Sequence, residues 1–245
     1  MNVTTTGLLT NRKAESDMTI TQNALFRAAA VAAAVAGLIF IGVQINHPYL
    51  DASSITTTDV MTRNSLKILM AALALAGITG VYLRQVTKIG VLGLLGYVVF
   101  AAGYLCILGT EYVAALVLPS IADSSTAYVN DVIAFANNRP ATGDIGGMQA
   151  AILFTGLTYV GGGFLFAIAL FRANVLARWA SALLALGTLA TIGTGIVPEY
   201  ARLFAIPTGL ALIGLGYSLW RVQRSLAAPP VLNPASSNLD PVGVG

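Results

Sequence analysis

IGVLGLLGYVVFAAGYLCILGT, residues 89–110, runs for 22 positions without one charged side chain. A bilayer core needs about 20 such residues in a helix, because lipid offers no partner for an open backbone N–H or C=O. Five further stretches meet or approach that length, at roughly 25–46, 65–84, 148–171, 176–197 and 202–221. The sequence therefore predicts an all-α fold, a polytopic membrane helix bundle of about six transmembrane helices over residues 24–222. A polar cytoplasmic arm (1–23) precedes it. A disordered cytoplasmic tail (223–245) follows, with Pro229, Pro230, Pro234 and Pro241 among Ser, Asn and Gly.

Composition agrees. Hydrophobic residues make up 56% of the chain and charged residues only 9%, against roughly 25% charged in an average soluble domain. A soluble globule could not cover its surface with so few charges, so the bilayer is the expected partner. The net charge of +3 is spread singly or in pairs, with no basic stripe, and nucleic acid is not expected as a partner. Cys106 is the one cysteine, which excludes an intramolecular disulfide and points to simple packing. Ala52 lies far beyond the first apolar run, and the polar arm before that run is long. The run is read as a span and not as a cleaved leader.

Lys and Arg set the orientation. Arg12, Lys13, Arg27, Arg84, Lys88, Arg172, Arg178, Arg221 and Arg224 fall on one side, and Arg63, Lys67, Arg139 and Arg202 on the other. That asymmetry predicts a cell-membrane protein with both termini cytoplasmic. Trp179 and Trp220 fall at the same inner boundary.

Small residues mark helix contacts in lipid: Ala29, Ala33 and Gly37 in the first span, Gly77 and Gly80 in the second. Gly161-Gly162-Gly163 reads either as a tight crossing or as a hinge, and Pro207 is expected to kink the sixth span. The third span either runs on as one long helix towards Pro119 or breaks near Gly109. In the second outer loop, Asp123 to Thr126 is expected to cap a helix whose apolar residues, Tyr128 to Phe135, lie in the membrane interface. Asp51, Asp59, Asp123 and Asp131 read as solvated loop charges. At an offset of 88 residues, 83–112 aligns with 171–200, placing Arg84 on Arg172, Glu111 on Glu199 and Tyr112 on Tyr200. The third and fifth spans are therefore expected to descend from one duplicated hairpin.

No phosphate-binding loop, zinc-protease, Cys-x-x-Cys or serine-nucleophile motif occurs, and one histidine excludes a bis-histidine haem. No cofactor is expected. What remains is a clustering by depth: the three outward-running spans end in His47/Tyr49, Glu111/Tyr112 and Glu199/Tyr200, with Gln44 one turn below His47. Ionisable groups near membrane depth are costly unless paired or watered, so they default to functional candidates. Gln44, His47, Glu111, Tyr112, Glu199 and Tyr200 form the expected ligand-binding set, in a polar pocket opening outward beside Arg202 and Asp144. Each also has a structural reading, as a helix cap, an exposed pair or a hydrogen-bonding partner.

The run Leu170-Phe171-Arg172-Ala173, then Leu176-Ala177-Arg178-Trp179, leading into an Ala/Leu/Gly helix, resembles multi-pass bacterial membrane families of unknown function. Residues 56–64 (TTTDVMTRN) are similar too. The resemblance implies a compact helical bundle and assigns no residue a role. Three functions stay open: a small-molecule-binding or transport-related bundle, an accessory subunit docking a membrane partner protein, and an intramembrane enzyme acting on a lipid or isoprenoid through Glu111 and His47.

Overall fold

The computed structural model describes residues 21–195 and 202–227. Among them the chain is helical and contains no strand. Its helices are α1 (Gln22–Gly42), α2 (Thr58–Tyr112), α3 (Thr126–Ala136), α4 (Gly147–Ala173), α5 (Arg178–Ala190) and α6 (Ala205–Ala227). Three helical runs, Gln22–Gly42, Thr58–Ile121 and Gly147–Ala173, are long and apolar enough to cross a membrane.

The segments expected as two spans at 65–84 and 89–110 are the two limbs of α2, which is interrupted and doubles back at Gly90. Its φ of 65° and ψ of −171° suit glycine and almost no other residue. On either side of that turn the limbs lie antiparallel. Thr79 Oγ1 meets the Tyr97 hydroxyl at 2.9 Å, and the Tyr82 and Tyr97 rings stack at 4.5 Å. Towards the far end, Lys67 faces Glu111 and Asn64 reaches the Ala114 carbonyl.

The second limb does not break near Gly109. It passes into a π-helical turn, Val113–Val117, before its last turn, Leu118–Ile121. Pro119 supplies the reason: it has no N–H for the carbonyl four residues back and its ring crowds that carbonyl, so the helix widens there.

Helix contacts are backbone-close. A Cβ on Gly77 would fall 2.7 Å from Ala33 Cα, and one on Gly103 would fall 2.8 Å from the Tyr159 nitrogen. Gly80 meets Ala29, Gly37 meets Gly209, and Gly96 meets Phe166. These contacts arrange α1, the two limbs of α2, α4, α5 and α6 so that each packs on the next and α6 returns to α1. The centre is filled by Phe100, Tyr104 and Phe166, all fully buried, with Tyr159 edge-on to Tyr104 at 5.8 Å. Such aromatic pairs each add about 0.5–1.5 kcal/mol beyond their burial.

The glycine triplet is a tight crossing. α4 runs through it unbroken, with Gly162 against the Phe100 backbone and Gly163 against Thr188, while Gly161 faces open space. Phe100 and Thr188 are themselves related by the 88-residue offset. Both positions abut neighbouring glycines of α4.

Four expectations need correction. The fifth segment, expected as a helix over 176–197, is α-helical only to Ala190 and continues as the 3₁₀ helix Thr191–Gly195. Thr191 and two glycines favour that tighter form poorly resisted by helix propensity, and the Thr191 hydroxyl donates to the Thr188 carbonyl at 2.6 Å. Pro207 does not kink α6, because it stands in the first turn, where no intrahelical N–H is required. The apolar face of helix α3 is turned onto protein and not towards lipid: Val129, Val132 and Ile133 are 0%, 3% and 4% exposed. They build a second core with Ile55, Val60, Leu118 and Ile145. That core caps one end of the bundle, the loop end. Nor does a side chain from 123–125 cap α3; the Thr126 hydroxyl donates back to Ala122.

Candidate functional site

The site lies under that cap. Asn64 and Lys67, one turn apart on the first limb of α2, face Glu111 on the second. The π turn leaves the Ala114 carbonyl outside the regular ladder, and Asn64 Nδ2 donates to it at 3.3 Å. Lys67 Nζ donates to Asn64 Oδ1 at 3.2 Å and lies 3.5 Å from Glu111 Oε1. With 16% of Lys67 and 22% of Glu111 exposed, this charge pair is largely withdrawn from water. It borders a cavity of about 250 Å³, whose other walls include Leu50, Ile55, Val132 and Met148.

A second cavity, of about 420 Å³, adjoins the first and shares Lys67, Leu50, Ala136 and Asn137 with it. Gln44, His47, Tyr49, Arg139 and Arg202 line the remainder. Arg139 donates to the Tyr49 hydroxyl at 2.6 Å, and Arg202 donates to the Pro48 carbonyl at 3.3 Å. Its described lining holds three cations and no carboxylate.

His47 Nδ1 lies 2.9 Å from the Pro48 carbonyl. A carbonyl only accepts, so Nδ1 carries the proton and the neutral ring keeps a lone pair on Nε2. Burial pushes the His47 pKa below its usual 6.5, and Lys67, Arg202 and Arg63 push the same way against the Pro48 carbonyl. The imidazole is therefore neutral at pH 7.

Of the residues expected from sequence, Gln44 and His47 line the larger cavity and Glu111 the smaller one, the two sharing Lys67. Tyr112 points away and is 51% exposed. Glu199 and Tyr200 lie outside the described residues. Asp144 is exposed, lines neither cavity, and accepts from the Gly146 N–H at 2.7 Å.

Sequence reading missed Asn64, Lys67, Asn137 and Arg139. A signal for Lys67 existed: a lone cation one turn inside the apolar limb, at the depth of Glu111.

Asp131 was read as a solvated charge and is not one. It is 8% exposed and accepts from the Thr142 N–H and hydroxyl at 2.8 and 2.9 Å and from the Gly143 N–H at 2.9 Å. The Thr142 backbone bond holds its carboxyl below the usual range. It ties the 137–146 loop over the site. Arg63 also has an unforeseen role, donating to the Val43 and Ile45 carbonyls at 3.1 and 2.8 Å while paired with Asp59. It caps the carboxyl end of α1.

No protein-family model matches this sequence, and comparisons with curated proteins and with solved structures returned no match.

Proposed function

We propose that the protein crosses the cell membrane six times with both termini cytoplasmic, and binds a small anionic molecule in the outward-facing polar pocket under the loop-end cap. The observation that carries the binding reading is the placing of Gln44 and His47, from the end of the first helix, and Glu111, from the second limb of α2, in two adjoining cavities joined at Lys67. An anion fits the three cations of the larger cavity, and the Nε2 lone pair of neutral His47 accepts a hydrogen bond from a hydroxyl or amide on the same molecule. The packed aromatic centre favours binding over passage. His47 and Glu111 line different cavities, so the acid–base enzyme reading gains nothing from the geometry.

The six-span reading is supported by the α2 hairpin and by lengths. Thirteen α-helical residues of α5 and five of 3₁₀ helix give about 20 Å and about 10 Å, together about the thickness of a bilayer core. The topology is tested in a Cys106→Ala background with Ser53→Cys or Ser225→Cys. A membrane-impermeant maleimide applied to intact cells should label the first and spare the second. Labelling of Ser225→Cys alone would invert the orientation.

Binding is tested by thermal unfolding in mild detergent against a panel of small carboxylates and phosphates. At least one class should raise the midpoint of the wild type and of Tyr112→Phe, and should leave Lys67→Met/Arg139→Gln unmoved. Equal shifts in all three proteins would remove the pocket from consideration.

A further inference from the structure

The opposite end of the bundle, where α1 begins and α6 finishes, contains a separate polar cavity of about 250 Å³. Asn23 of α1, Arg84 of the first α2 limb and Gln223 of α6 line it. Each brings a buried polar atom without a hydrogen-bonding partner among the described residues: Asn23 Oδ1, Arg84 Nε and Gln223 Nε2. Gln223 as a whole is only 4% exposed. Native proteins rarely leave a buried donor or acceptor unmet, since its desolvation goes uncompensated. Three such groups, from three different helices, converge on this one cavity.

The charge around them has one sign. Arg27, Arg84, Lys88, Arg172, Arg178, Arg221 and Arg224 belong to this end, and no Asp or Glu among the described residues does. The cavity also lies at the amino end of α1, whose dipole favours an anion. Its two apolar walls, Phe26 and Leu226, suit a ligand that carries hydrocarbon beside its charge.

We propose that this cavity holds the phosphate of an anionic phospholipid headgroup. Phosphate oxygens accept from Arg84 Nε–H and Gln223 Nε2–H. The Asn23 amide, which can present either end by flipping, meets a further oxygen or a headgroup hydroxyl. A zwitterionic headgroup would bring an ammonium to an end with no described carboxylate to receive it. Basic pockets between helices on the cytoplasmic side are where anionic headgroups are met. Only the choice of leaflet rests on the topology proposed above; the site itself does not.

Native mass spectrometry of the full-length protein in detergent tests this, with phosphatidylglycerol, phosphatidylcholine and inorganic phosphate titrated separately. The wild type should retain one phosphatidylglycerol in preference to phosphatidylcholine by about tenfold, and should not retain inorganic phosphate. Arg84→Gln and Gln223→Leu should each abolish the preference, and Arg224→Gln should keep it. Gln223→Glu supplies an internal carboxylate beside Arg84. It should abolish the preference while its thermal midpoint holds or rises, which separates loss of the site from loss of the fold. Retention of inorganic phosphate in place of lipid would overturn the lipid assignment in favour of a free anion. Equal binding of the two lipids, or equal losses in Arg84→Gln and Arg224→Gln, would overturn the site.

Discussion

The two ends of this bundle are built on opposite plans. At the loop end, Arg63, Lys67, Arg139 and Arg202 stand among Asp51, Asp59, Glu111, Asp123, Asp131 and Asp144. The connections there are long and fold into a second hydrophobic core over the helix ends. At the other end the described acids number none, and the chain reverses with little material: at Gly90 within α2 and at Asn174, φ 51°, after α4. Much of the charge at the loop end is consumed inside the chain, by the Lys67–Glu111 pair, the Arg63 cap and the Asp131 loop clasp, while Arg139 and Arg202 face the larger cavity. Charge at the terminal end has little within the chain to answer it and is offered outward. Removing a side chain should therefore cost folding stability at the loop end and alter binding to lipid at the terminal end.

The sharpest break of that contrast comes from the cap core. Val129→Asp would bury a carboxylate among Ile55, Val60, Leu118 and Ile133 with no cation beside it. We expect a loss of about 3 kcal/mol or more, read as a lowered midpoint in detergent and as new protease cleavage within 47–57 and 118–146. Arg84→Gln at the terminal end should leave those loops resistant. If both variants exposed them equally, the two ends would not be separate units.

A smaller effect belongs to the buried pair. Lys67→Met leaves Glu111 without its cation and Asn64 Oδ1 without its donor, at an expected cost of about 1–3 kcal/mol. Adding Glu111→Gln should recover part of that loss, and the double-mutant cycle should return a coupling of about 1 kcal/mol. Independent effects would mean that the 3.5 Å contact holds nothing together. Arg63→Gln should cost a similar amount, about 1–2 kcal/mol, by uncapping α1.

How much of this was legible in the sequence follows the range of the interactions. The apolar runs announce helices because a span is a local property, and Ala33, Gly37, Gly77 and Gly80 announce contacts because small size is local too. Gly90 looked like one glycine among several, since its left-handed φ becomes visible only when the limbs either side pair. Asp131 and Tyr112 were misjudged for a common reason: exposure depends on which loop folds back over a helix. The alternation of Val129, Val132 and Ile133 showed an apolar face correctly, but lipid and a second protein core demand the same face. Lys67 and Glu111 are 44 positions apart, and no spacing rule links them. Glu199 and Tyr200 lie outside the described residues.

Acidification should separate the ends further. The His47 pKa is lowered chiefly by burial, so as pH falls below about 6.5 the unfolded chain takes up the proton before the folded one. Stability present above that value is lost as pH falls towards the folded pKa. Asp131, held low chiefly by the Thr142 N–H, follows the same sign in a lower window. Its contribution is present above about 3.9 and disappears as pH drops through the folded value. The unfolding midpoint should therefore decline in two steps on acidification. His47→Gln should remove the upper step, and Asp131→Asn the lower. A decline unchanged in both variants would place the pH sensitivity elsewhere in the chain.

The smallest effect is also the most direct test of the contrast. Arg224 lies exposed in the last turn of α6, with no acid among the described residues of its end. Arg224→Gln should change stability in detergent by no more than about 0.5 kcal/mol, although it removes the same group as Arg63→Gln. Near an anionic bilayer surface, however, each such cation contributes about 1 kcal/mol of attraction. In the full-length protein reconstituted into anionic vesicles, the end of α6 should therefore be held less closely to the headgroups in the variant, read as greater water accessibility of a label at Ser225→Cys that converges with wild type as salt rises. Two arginines, one substitution and opposite readouts would follow only if charge at one end is structural and at the other is an outward surface. A stability loss at Arg224 matching that at Arg63 would show instead that the terminal end has internal partners of its own.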